Sequence, residues 1–244
     1  MSKLSDAIRR ATRVETAPIG FAPAVTRKQR TMLLIAQIAD GPAPEGADVL
    51  LARPQDLSAL ADNGAGERPL RGALLDETTV AAPPSGFDFL VFDGDAAPAA
   101  ILLNETQGLV MAPPPDLSDS LLQALQWLPL DALLVRWQGS VTVRRLLELQ
   151  RLSGFSRKPL LLVLHDEPQA AELEALREAG VVGVVVDTSA PGGTERFARL
   201  RETIDNLRPR PRRSRAEGIV STQVALIPTS APMTEEPDEP DEDE

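Results

Sequence analysis

PLLLVLHDEPQAAELEALREAGVVGVVVD (159–187) decides the fold. It opens on a continuous apolar run, PLLLVLH (159–165), and closes on another, GVVVD (183–187). Neither alternates apolar with polar residues, as a half-exposed antiparallel strand would. Both read as parallel strands buried on two faces. Between them PQAAELEALREAG (168–180) has helical periodicity and ends at Gly180, a residue suited to the left-handed turn that stops a helix. A strand, a helix and a second strand in about 30 residues make a parallel βαβ unit.

The same grammar runs back through the chain. Six more short apolar runs precede loops: MLLIAQI (32–38), DVLLAR (48–53), GALLDE (72–77), FDFLVFD (87–93), GLVMAP (108–113) and DALLVRW (131–137). Helical stretches follow some of them. DLSDSLLQALQWL (116–128) has Asp116 or Ser118 as its cap. SVTVRRLLELQRL (140–152) starts at Ser140 and is stopped by Gly154. TERFARLRETIDNL (194–207) is capped by Thr194. The first half is leaner. ADGPAPEGA (39–47) and TTVAAPPSG (78–86) are too short or too proline-rich for a helix, and QDLSALAD (55–62) makes two turns at most. A parallel crossover takes about a dozen residues, so these links are either unusually spare or join an antiparallel early pair. AAILLN (99–104) and IGFAP (19–23) are candidates for further strands.

Eight strands over residues 32–187 and a final helix favour a closed (β/α)8 barrel, TIM-barrel-like, with short or missing helices in its first half. An open parallel α/β sheet is the alternative. It would want a glycine-rich turn after its first strand, and MLLIAQIADGPAP has neither GxGxxG nor GxxxxGK[ST]. The barrel is expected over 31–207. A basic segment precedes it (1–30), and an Arg-rich linker with an acidic tail follows (208–244).

The net charge of −11 is concentrated: EEPDEPDEDE (235–244) carries eight carboxylates, whereas RPRPRRSR (208–215) carries five arginines. Blocks of this kind read as solvated linker, or as a surface for a protein partner. With few aromatics to stack bases, and an acidic tail competing for the arginines, nucleic acid is a poor partner. MSKLSDAIRRATRVE (1–15) reads as an amphipathic helix with Leu4, Ile8 and Ala11 on one face. Such a helix either closes the bottom of a barrel or lies on an anionic membrane surface. No run approaches the roughly 20 apolar residues of a spanning helix. Without cysteine or an export signal, a cytoplasmic setting is the expectation.

ELEALREAGVVGVVVDTSAPGGTERFARLRETI (172–204) resembles the closing βα units of aldolase-type and phosphate-binding (β/α)8 barrel proteins. The matching residues are Ala179, Gly180, Val181, Gly183, Asp187, Gly192, Gly193 and Thr194. The likeness covers the last quarter to half of the chain, and its motifs are shared by many barrel families. It implies function at the C-terminal ends of the strands, with phosphate taken by the loops after strands 7 and 8.

Reading those strand ends gives the candidate site. His165, Asp93 and Asp187 are the candidates for acid–base chemistry, histidine being the side-chain type that titrates near neutrality. Asp76, Arg136, Gly192, Gly193 and Thr194 are the candidates for holding an anionic or phosphorylated ligand, since glycines let backbone N–H groups converge on an anion. Asp93 and Asp95, with other strand-end carboxylates, could serve a divalent cation such as magnesium. These aspartates also suit turns and caps. Glu195 and the acidic HDEPQ loop (165–169) count against a phosphate. No lysine stands at a strand C-terminus and there is no cysteine, so Schiff-base and thiol chemistry are excluded. Two readings remain: a barrel that has lost catalysis and acts as a scaffold or adaptor, and a small-molecule enzyme or binding protein for an anionic metabolite.

Overall fold

In a computed structural model of the chain, the eight apolar runs form one closed barrel with strands in sequence order. The structure describes residues 2–12, 31–39, 42–57, 68–76, 79–81, 83–136 and 138–208. The strands are β1 (Leu33–Ile38), β2 (Val49–Ala52), β3 (Leu70–Leu74), β4 (Phe89–Asp93), β5 (Gly108–Ala112), β6 (Ala132–Arg136), β7 (Leu160–Leu164) and β8 (Val181–Asp187). Every neighbouring pair is parallel, and β1 closes on β8 from Leu33–Gly183 to Gln37–Asp187. Closure removes the exposed edges an open sheet would leave. The open sheet and the antiparallel early pair are both overturned.

The helices are α1 (Lys3–Thr12), α2 (Pro54–Leu57), α3 (Asp119–Ala124), α4 (Val143–Ser156), α5 (Ala170–Glu178) and α6 (Gly193–Asp205). Several boundaries differ from expectation. AAILLN is no strand: Ala99–Leu103 winds into a 3-10 turn. Thr142, not Ser140, caps α4, its side chain accepting the Arg145 N–H; Gly154 lies inside that helix, which ends at a left-handed Arg157. Gly192, not Thr194, is the cap of α6. Ser118 caps α3 as expected, and Gly180 has the positive φ of a helix stop. IGFAP lies outside the described residues.

Alternation along each strand divides two cores. Leu34, Leu50, Leu90, Leu133, Leu162 and Val184 point outward to the helices. Leu33, Ile35, Val49, Leu51, Phe89, Val91, Val110, Leu134, Leu161 and Val185 fill the interior. Phe89 is the largest interior side chain, and the neighbouring strands make room for it. A Cβ at Gly72 on β3 would run into its ring, and one at Gly108 on β5 would press on its Cβ. Leu4, Ala7, Ile8 and Ala11 of α1 join this interior cluster from below. The helix is the barrel's floor, so its apolar face is spent on the interior and is not available to a membrane. Ser2 and Lys3 fix it, through Ser2 Oγ to Asp131 (2.5 Å) and Lys3 Nζ to Asp88 (2.7 Å).

Three aspartates repeat one contact around this lower rim. Asp48, Asp88 and Asp131 each stand just before an even-numbered strand. Each carboxylate accepts a backbone N–H from the preceding odd strand: Leu34 (2.8 Å), Arg71 (2.9 Å) and Leu109 (3.2 Å). Asp48 also takes Arg201 of α6 at 3.0 Å, in a pair only 12% and 5% exposed. Below β7, Lys158 Nζ donates to the carbonyls of Leu128 and Leu130. Its burial lowers its pKa and nearby Asp131 opposes the shift.

Two stability outcomes follow. Asp88→Ala strands the Arg71 N–H and releases the exposed Lys3, and should cost about 1–2 kcal/mol. Asp48→Ala also leaves the Arg201 guanidinium buried without that carboxylate and should cost about 3–5 kcal/mol. Urea unfolding of the two variants checks the order. Gly72→Val should destabilise by at least about 1–3 kcal/mol, because Phe89 has nowhere to go; Gly72→Val with Phe89→Leu should recover part of the loss.

Candidate functional site

The interior is apolar until its last layer. Two residues beyond Ile35 stands Gln37; beyond Val91, Asp93; beyond Leu134, Arg136; beyond Val163, His165; beyond Val185, Asp187. Strand alternation directs all five inward at the C-terminal mouth. Gln37 and Asp187 are register partners across the closing seam and are half-buried, while Asp93, Arg136 and His165 are exposed. Asp76 follows β3 on the same alternation and is exposed.

The aspartates here have local duties. Asp76 Oδ1 accepts the N–H and hydroxyl of Thr79, each at 2.9 Å, while the Thr79 hydroxyl accepts the Asp76 N–H at 2.9 Å. Asp93 Oδ1 accepts the Asp95 N–H and Asp187 Oδ1 the Ser189 N–H, both at 2.9 Å. Each closes a tight turn that ends its strand. No hydrogen bond joins the side chains of His165, Asp93 and Asp187 to one another among the described residues. The three share a mouth but do not form a relay. Among the described residues no group of three or more His, Cys, Asp or Glu side chains could hold one metal ion.

The β8–α6 connection is the most constructed part of the mouth. Thr188 bonds Gln37 O through both its N–H (3.0 Å) and its hydroxyl (2.9 Å), and Ser189 Oγ accepts the Ala39 N–H at 2.8 Å. Gly192 turns the chain with φ +71°. Gly193 then starts α6 pressed on the end of β8, where a Cβ would lie 2.5 Å from Asp187 O and 2.9 Å from Thr188 Cα. The Gly193 N–H is spent on Ala190 O at 2.8 Å. Thr194 and Glu195 follow, both exposed.

Two arginines escaped the sequence reading. Arg196 reaches across the mouth's base: one nitrogen lies 2.6 Å from His165 O and another 3.3 Å from Asp187 O, tying the ends of β7 and β8. Arg199 holds Glu167 through paired bonds of 3.1 and 3.0 Å. The Glu167 bond raises the Arg199 pKa. The acidic loop after β7 is thus partly neutralised from α6. The spacing of Arg196 and Arg199, on one side of a helix that follows a glycine turn, was the available signal.

A separate cavity of about 600 Å³ opens on the outer wall, lined by Val80, Pro83, Phe87, Ile101 and Leu103 among others. It occupies the flank where the β3–β4 and β4–β5 connections have no α-helix. No strand-end candidate lines it, and the mouth carries the convergent polar groups.

No protein-family model matches this chain, and no curated protein matches its sequence. Solved structures do match its shape. The 3-keto-L-gulonate-6-phosphate decarboxylase of Vibrio cholerae O1 biovar El Tor superposes with a TM-score of 0.54 at 15% identity, over 73% of this chain and 99% of that one. A variant tryptophan synthase α-subunit from Pyrococcus furiosus gives 0.50 at 14% identity, over 72% and 97%. A 3-hexulose-6-phosphate synthase gives 0.50 at 15%, over 70% and 99%. The chain is a (β/α)8 barrel similar to aldolase-type barrel enzymes in fold. Among the described residues no helix is long and apolar enough to cross a membrane.

Gly193→Val should push α6 off the end of β8 and cost about 1–3 kcal/mol or more. Gly192→Ala should cost less, about 1–2 kcal/mol, since it meets only an unfavourable φ. Thermal unfolding of the two variants gives the comparison.

Proposed function

We propose that this barrel binds an anionic small molecule at the C-terminal mouth. The observation that carries the reading is the change of character in the last interior layer, from apolar side chains to Gln37, Asp93, Arg136 and Asp187. Asp93 and Asp187 also close the turns that end their strands, whereas Gln37 and Arg136 take no part in such a turn among the described residues. Arg136 supplies the positive charge. The Gly192–Gly193–Thr194 turn opens α6, whose dipole favours an anion at its start. Asp76 borders the opposite wall. Two of the similar barrels are named for sugars bearing a 6-phosphate, which makes phosphorylated sugars the class to try first.

Binding is better supported than a catalysed step. His165, Asp93 and Asp187 stand as acid–base candidates, but two of them are engaged in turns and none is hydrogen-bonded to another. That same observation favours the second reading, a scaffold that no longer performs the chemistry of its fold.

Thermal unfolding of the full chain against inorganic phosphate, phosphorylated sugars and magnesium decides. A ligand at 100 times its Kd stabilises the folded state by about 2.7 kcal/mol, worth roughly 5–10 °C in a barrel of this size. The expected result is such a rise with a phosphorylated compound, abolished by Arg136→Ala, whose exposed side chain leaves the unliganded Tm unchanged. A flat response across the panel would remove the binding reading and leave the scaffold.

A further inference from the structure

The barrel interior is built in layers to which alternate strands contribute, and the register fixes their membership. Neighbouring strands are staggered by about one residue, so two strands on the level shifts by about two. From Leu51 on β2 the register leads through Gly72 to Phe89, and the stagger gives Val91. Val91 leads through Val110 to Ala132 and so to Leu134. Leu134 leads through Leu161 to Gly183 and so to Val185. Val185 leads through Ile35 to Val49 and back to Leu51. These four make one closed, buried apolar layer across β2, β4, β6 and β8. Two residues further along the same strands, the next layer holds Arg53, Asp93, Arg136 and Asp187. Arg53 comes just before Pro54, whose ring favours extended backbone at the preceding residue and so continues the alternation of β2.

Around the mouth the charges therefore run positive, negative, positive, negative. Arg53 stands across from Arg136 and Asp93 across from Asp187, with backbones roughly 15 Å apart, while neighbours in the ring are roughly 10 Å apart. No hydrogen bond or ion pair joins any two of the four among the described residues. Each aspartate spends Oδ1 on its turn and keeps Oδ2 without a partner there, and neither arginine has an acidic partner there. The two aspartates are too far apart to share one metal ion. A plain anion on Arg136 fits this ring poorly. Asp93 and Asp187 flank it on both sides, within about one Debye length, and Asp76, one step higher on β3, adds a third carboxylate. A molecule that brings its own ammonium group turns that repulsion into attraction. Its cation must lie to the side of its anion, because Arg53 stands directly across. Resting on the reading of the mouth as an anion site, we propose that its ligand is a zwitterion, an aminated sugar phosphate, with its phosphate on Arg136 and its ammonium on Asp93 or Asp187.

The test is isothermal titration calorimetry of the full chain at pH 6.5 and low salt, with glucose 6-phosphate, glucosamine 6-phosphate and N-acetylglucosamine 6-phosphate. The second carries an ammonium where the first has a hydroxyl, and the third caps that nitrogen and removes its charge. Glucosamine 6-phosphate is expected to bind at least ten-fold more tightly than either of the others. Asp93→Asn with Asp187→Asn keeps an oxygen for each turn N–H and removes only the charges. It should weaken glucosamine 6-phosphate and tighten glucose 6-phosphate, each several-fold, so that the preference disappears; loss of the fold would instead abolish both. Equal affinity of the wild type for these two sugars overturns the zwitterion and leaves the anion site standing. So does a preference that survives Asp93→Asn with Asp187→Asn, and so does an N-acetyl compound that binds as well as glucosamine 6-phosphate. No binding of any of the three overturns it too; a melting response to inorganic phosphate, lost in Arg136→Ala, then tells whether the anion site itself stands.

Discussion

Eight parallel strands enclose a volume that only side chains can fill, and the rest of the molecule is arranged around how that volume is filled. Phe89 takes the largest share. It fits because β3 and β5 present Gly72 and Gly108 where other strands present branched residues. Below it, α1 supplies Leu4, Ala7, Ile8 and Ala11 as a floor. Interiors are packed to crystal-like density, so a floor and a ring of this kind are what a closed barrel of this size requires.

The two ends of the barrel are built by different rules. The lower rim is held by directional, partly buried contacts: the three strand-leading aspartates, Lys158 on two carbonyls, and Arg201 between Asp48 and Asp205. At the upper rim the aspartates serve short turns, and the β8–α6 connection supplies the ties between strands through Thr188, Ser189 and Arg196. The strand-leading aspartates and the buried Arg201–Asp48 pair thus lie away from the mouth. That separation is general to (β/α)8 proteins, in which conserved chemistry gathers at the C-terminal face.

Much of this architecture was legible in the sequence. Continuous apolar runs located all eight strands, and helical periodicity located α3 to α6, because both patterns are imposed directly by burial. AAILLN was misread because a five-residue apolar stretch has no period long enough to separate a strand from a tight turn. The helix starts at Thr142 and Gly192 were misplaced because Ser140 and Thr194 satisfy the same capping preference, and only the local backbone decides between them. Of the candidate site, Asp76, Asp93, Arg136, His165 and Asp187 were readable as polar strand ends, whereas their shared inward direction, with Gln37, needs the register of the strands. The spending of Asp76, Asp93 and Asp187 on turns was not readable, since the same aspartate suits a turn and a ligand equally. Arg196 was missed because its partners, the carbonyls of His165 and Asp187, are backbone groups that carry no sequence signature. The lower-rim aspartates lay in plain view at the heads of DVLLAR and DALLVRW, yet their role depends on a neighbouring strand's N–H, which no single run displays.

The aspartate contacts join β1 to β2, β3 to β4, and β5 to β6, but before β8 the corresponding residue is Gly180, which has no side chain to offer. The final closure, β8 against β1, is fastened at the other end, where Thr188 takes Gln37 O by two bonds. Gln37 and Asp187 flank that fastening and also face the mouth. The residues that face the mouth thus also stand at the seam that closes the ring. If the mouth binds as proposed, a molecule seated over Gln37 and Asp187 would act as a clasp on the seam.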